Sequence, residues 1–244
     1  MPSADTSTSP TTPARFTATP MTTLGRPLLA EAMGTFVLVF VGCGAVMVDA
    51  RTGALGALGV AVAFGLAIAV MVATLGHVSG AHFNPAVTVA LWARRVVPLH
   101  LVAPYVIAQI AGAVAAAFTL RASLGSVGGV GATVPSGSAG QAFLWECVLT
   151  AVLVSVILAV ATDRRASDQP AALVIGGTIT LAAIVGGPVS GASMNPARTL
   201  APAIAGGPTT ALWVYLTAPL LGAAIAVALY AVLRSPDTDS EPVA

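Results

Sequence analysis

A nine-residue segment occurs twice in this chain. The first copy reads Val78-Ser79-Gly80-Ala81-His82-Phe83-Asn84-Pro85-Ala86. The second reads Val189-Ser190-Gly191-Ala192-Ser193-Met194-Asn195-Pro196-Ala197, and seven of nine positions match without a gap. Upstream, Glu31 with Thr35 mirrors Glu146 with Thr150, at Glu-to-Asn separations of 53 and 49 residues. Chance similarity between apolar runs does not produce matches at polar positions. The chain is therefore built from two related halves.

What surrounds each copy fixes the kind of halves. Apolar runs cover 27–49, 54–77, 98–120, 141–161, 170–187 and 209–233, each close to the 20 or so residues that a bilayer span needs. Polar or Gly-rich breakers separate them: Asp49 to Gly53, Arg94-Arg95, the stretch 121–140, Asp163-Arg164-Arg165 and Gly206-Gly207-Pro208. The stretches 78–93 and 189–205, which carry the duplicated segment, are too short to cross. They read as re-entrant half-helices that enter and leave on one side. Each half thus holds three spans and one half-helix. Three is odd, so the second half is inverted relative to the first. The expected fold class is an all-α membrane protein of six transmembrane helices plus two re-entrant half-helices. Gly59, Gly65, Gly112 and Gly222 are expected to let helices approach closely. The expected domain is 27–233, with repeat one at 27–120 and repeat two at 141–233, flanked by tails at 1–26 and 234–244.

Composition agrees. Charged residues make up 8% of the 244-residue chain and hydrophobic ones 57%, against about 25% charged in a soluble domain. Net charge is +1, so a basic field for nucleic acid is absent. Cys43 and Cys147 sit apart in apolar runs without metal-ligand spacing, which reads as two buried small hydrophobes and not a metal site. No cofactor is implied, and no nucleophile–base set suggests an enzyme. Residues 1–26 are Ser, Thr and Pro rich and read as a solvated tail without a secretory signal, although their hydroxyls could accept phosphate. All ten basic residues are Arg. Arg15, Arg26, Arg94, Arg95, Arg164, Arg165 and Arg234 fall on one side of a six-span plan, and Arg51 and Arg121 on the other. The positive-inside rule then places both termini in the cytoplasm. The Arg-only, Ala-rich composition suggests a bacterial inner membrane.

Asn-Pro opens a helix well, because Asn is a good N-cap and Pro suits the first helical position. Asn84-Pro85-Ala86 and Asn195-Pro196-Ala197 should begin two half-helices whose positive N-terminal ends meet near the membrane centre. Such a meeting repels cations, hydronium included. The irregular residues before each Asn, namely Gly80, Ala81 and His82 with Gly191, Ala192 and Ser193, can line a narrow path with carbonyl acceptors. Glu31 and Glu146 are ionisable groups at membrane depth. They either couple protons or accept hydrogen bonds from the re-entrant loops. The symmetric pairing without a nearby basic partner favours the second role. Arg198 has no counterpart in the first copy, where Val87 stands. It reads as a residue guarding a constriction, with a surface anchor as the other reading.

At these residues the chain resembles the aquaporin, or major intrinsic protein, family over roughly residues 27–233. The wording Gly187-Pro188-Val189-Ser190-Gly191-Ala192-Ser193-Met194-Asn195-Pro196-Ala197-Arg198 is similar to the plant nodulin-26-like branch and its bacterial relatives. Thr199, Ala203, Tyr215 and Leu216 fit the same branch. The resemblance implies a tetramer with one pore per subunit, and a selectivity filter formed by Phe64, Ala183, Ala192 and Arg198. Strict water channels usually carry His where Ala183 stands, typical glycerol channels carry Asp where Thr199 stands, and plant members of the branch often have Trp where Phe64 stands. The implied activity is passive conduction of water and small uncharged solutes such as glycerol, urea or metalloid acids, without protons or ions. A water-only channel is one alternative. A proton-coupled transporter using Glu31 and Glu146, and an ion channel, are others.

Overall fold

The computed structural model describes residues 24–162 and 170–233. Arg15, Asp163, Arg164, Arg165, Arg234 and the tails over 1–23 and 234–244 lie outside the described residues. Among the described residues, eight α-helices run in the order α1 (Gly25–Thr52), α2 (Gly56–Ser79), α3 (Pro85–Ala93), α4 (Leu99–Leu124), α5 (Ala139–Thr162), α6 (Ala171–Ser190), α7 (Pro196–Ile204) and α8 (Leu212–Leu233). Six are long and apolar enough to cross a membrane, while α3 and α7 have nine residues each. The first helix starts at Gly25, inside the segment read as a tail.

Apolar composition continues around the whole circumference of the long helices, so packing cannot hide all of it. Leu29, Ile107, Leu173 and Leu181 face outward at 65–67% exposure. In water that surface would drive aggregation, whereas hydrocarbon accepts it. Inside, α1 packs on α4 as α5 packs on α8, and α2 lies against α6. The half-helices cross over, with α3 resting on α8 and α7 on α4.

Glycine permits these contacts. A methyl group built on Gly112 would lie 2.0 Å from the Ala32 carbonyl oxygen, and one on Gly222 would lie 2.2 Å from that of Cys147. Gly65 and Gly176 press on each other's carbonyls across α2 and α6, at 2.5 Å for the same imagined atom. Gly59 corrects the expectation, because the nearest atoms to a side chain there belong to Leu55, the residue that precedes its own helix, and not to another helix. The Gly-rich connection between the halves is also more structured than a plain breaker. Its Val127–Gly131 segment has positive φ at Gly128, Gly129, Val130 and Gly131.

Candidate functional site

Both half-helices begin as their sequences dictate. Asn84 is extended and its Oδ1 accepts from the Ala86 N–H at 2.9 Å. Asn195 does the same for Ala197 at 3.0 Å and Arg198 at 3.3 Å. Pro85 and Pro196 occupy the first helical positions, where a missing N–H costs nothing. The two N-termini are tied reciprocally. Asn84 Nδ2 donates to the Met194 carbonyl at 2.7 Å, and Asn195 Nδ2 donates to the Phe83 carbonyl at 2.9 Å. The positive ends of α3 and α7 therefore face each other across a few ångströms.

The loops leading into them are held open by the two carboxylates. Glu31 Oε1 accepts from Ser79 Oγ at 2.7 Å and the His82 N–H at 3.0 Å, and Oε2 accepts from the Phe83 N–H at 2.8 Å. Glu146 repeats the pattern with Ser190 Oγ at 2.7 Å, the Ser193 N–H at 2.9 Å and the Met194 N–H at 2.7 Å. Both carboxylates are fully buried. This bracing opposes real strain, since Ala81, Phe83, Ala192 and Met194 all have φ between 42° and 52°, a region that side chains disfavour.

Several partners were not singled out by the sequence for these roles. Tyr105 and Tyr215 donate to the Ser79 and Ser190 carbonyls at 3.0 and 2.6 Å. Gln109 Nε2 donates to Glu31 Oε2 at 2.7 Å and to Thr88 Oγ1 at 2.9 Å, and the equivalent place in the second half is Pro219. Thr199 Oγ1 lies 2.5 Å from Ser193 Oγ and 2.9 Å from Thr133 Oγ1. The tyrosines recur at matching places in the two halves, which is a readable signal. Gln109 and Thr133 offer none.

A cavity of about 360 Å³ runs through these parts. Gly80, Ala81, His82, Asn84, Ser193 and Asn195 line it, whereas Gly191 does not and instead packs toward Thr133. Phe64, Ala183, Ala192 and Arg198 all line it too. Arg198 is 3% exposed. Its Nη1 donates to the Gly131 carbonyl at 3.0 Å, its Cζ lies 4.9 Å from the Phe64 ring centroid, and its Nε has no protein acceptor. A guanidinium over a ring face at that range is a favourable cation–π contact. By the internal repeat, Ile175 is the image of Phe64, and Val72, Ala81 and Val87 are the images of Ala183, Ala192 and Arg198; all four line the same cavity. The guanidinium thus has no counterpart at the opposite end of a roughly two-fold path.

Residues 19–230 match the family model described as major intrinsic protein. The chain belongs to the major intrinsic protein family. It is a multi-pass membrane protein and a channel, not an enzyme. It is 44% identical to nodulin-26 of Glycine max over 86% of this chain and 78% of that one. It is 47% identical to aquaporin NIP1-4 of Oryza sativa subsp. japonica over 85% and 76%, and 42% identical to aquaporin NIP6-1 of Arabidopsis thaliana over 91% and 73%. Among solved structures, the aquaglyceroporin from Plasmodium falciparum superimposes with a TM-score of 0.77 at 30% identity, covering 84% of this chain and 95% of that one.

Proposed function

We propose that this channel passes water and small uncharged solutes, glycerol, urea or metalloid acids among them, down their gradients while excluding protons and ions. The observation that carries this reading is the composition of the cavity around Arg198. Two alanines, Ala183 and Ala192, stand where bulk would close it, and the Arg198 guanidinium lines it beside them. A neutral solute with an acceptor oxygen can accept a hydrogen bond from the guanidinium. A cation meets the guanidinium and then two facing helix N-termini. Phe64, Ala183, Ala192 and Arg198 are the filter in this reading, and Glu31 and Glu146 are braces. Every carboxylate oxygen already accepts a hydrogen bond from loop or side chain, which favours the bracing role over proton coupling.

We further read the chain as a homotetramer with both termini cytoplasmic, residues 27–233 forming the channel. A bacterial inner membrane rests on composition alone, and nodulin-26 and the two NIP aquaporins named above are plant proteins. Stopped-flow light scattering on proteoliposomes tests the solute reading. Fast water flux of low activation energy should accompany glycerol or urea uptake that is linear in gradient. Water flux without solute flux selects the water-only alternative. Uptake that saturates and collapses with the pH gradient selects the transporter.

A further inference from the structure

We propose that Gly42 of α1 sets the width of the constriction by providing the slot in which the Phe64 ring lies. This rests on reading Phe64 as part of the filter. A methyl group built on Gly42 would lie 2.1 Å from Phe64 Cε1, 2.2 Å from Cδ1 and 2.6 Å from Cζ. Carbon atoms settle about 3.5–4.0 Å apart, so even alanine cannot coexist with the ring where it now sits. The ring lines the cavity and has the Arg198 guanidinium 4.9 Å from its centroid. A ring pushed off α1 therefore moves toward the lumen and Arg198.

The internal symmetry separates this glycine from those the bundle needs. Gly112 and Gly222 are images of each other and press on backbone carbonyls, so the architecture demands them at both places. Gly42 has a different image. By the Glu31–Glu146 register it corresponds to Ile157, and by the Ser79–Ser190 register Phe64 corresponds to Ile175. Both isoleucines are buried and line the cavity. The bundle thus accepts a large residue at the Gly42 place when its partner is not an aromatic ring. Glycine there accompanies the ring, not the helix packing.

The test compares wild type, Gly42→Ala, Phe64→Leu and the double variant in proteoliposomes, reading urea and glycerol permeability against water permeability, or water alone if only water passes. Gly177→Ala, where an added methyl meets nothing within 4 Å, controls for alanine in a helix. Gly42→Ala should lower the solute-to-water ratio about tenfold, the scale of one methyl group in a fitted site. Phe64→Leu should raise the ratio, and the double variant should recover it. If Phe64→Leu leaves the ratio unchanged, the filter reading itself fails. If Phe64→Leu raises it but Gly42→Ala matches wild type, the filter stands and the Gly42 proposal is overturned. Should Gly42→Ala fail to fold, rescue by Phe64→Leu supports the same steric coupling, and absence of rescue overturns it.

Discussion

Glu146 places a carboxyl group inside a membrane-spanning helix, and it is kept there by donors that the loop cannot place elsewhere. The Ser193 and Met194 N–H groups have left helical geometry and need acceptors at that depth. Glu146→Gln replaces one acceptor oxygen with a donor facing a donor. A loss of roughly 1–3 kcal/mol follows from leaving one such group unsatisfied. The thermal unfolding midpoint in detergent should drop accordingly, and an unmoved midpoint would remove the bracing role. These carboxylates were legible because they are duplicated polar residues inside apolar runs. Tyr105 and Tyr215 were legible in principle but sit among residues whose hydropathy dominates. Gly42 was not legible. A glycine in an apolar run looks like every other small residue until the ring it faces is known.

At the scale of elements, spans and half-helices followed from run length and from Asn-Pro, which both act locally. The helix contacts did not. Gly65, Gly112 and Gly222 do lie where backbones meet, whereas Gly59 does not, and nothing in the local sequence separates them. Crossing geometry depends on residues far apart in the chain. Gly112→Ala inserts a methyl 2.0 Å from the Ala32 carbonyl oxygen, and overpacking of this kind costs about 1–3 kcal/mol. Differential scanning fluorimetry should show a lower midpoint, with the solute-to-water ratio of the surviving protein unchanged. A changed ratio would mean that the α1–α4 contact also shapes the path. The two arginines on the less basic side have element-level duties as well. Arg51 donates to the Leu124 carbonyl at 2.8 Å, and Arg121 donates to the Ala205 carbonyl. Each places its charge at the negative end of a helix, so neither counts as an unengaged loop charge in the orientation rule.

For the whole molecule, the duplication predicted the inverted architecture because an odd number of crossings permits no other arrangement. Side assignment is tested directly. Cysteines introduced at Ser126 and His100, both exposed, lie at opposite ends of α4. With the native Cys43 and Cys147 buried, a membrane-impermeant maleimide added to intact cells should label Ser126→Cys and spare His100→Cys. The reverse pattern would invert the topology.

The reciprocal ties between the two half-helices also impose an order in time. Asn84 reaches its acceptor at Met194, 110 positions later in the chain, and the Phe83 carbonyl waits for Asn195. At about 5–20 residues per second, the first half is synthesised on the order of ten seconds before its counterpart exists. During that interval its re-entrant loop lacks the second half-helix that secures it. The nascent first half is therefore the stage at which this protein most needs the insertion machinery to shelter it, and a chain stopped between the halves should be degraded instead of stored.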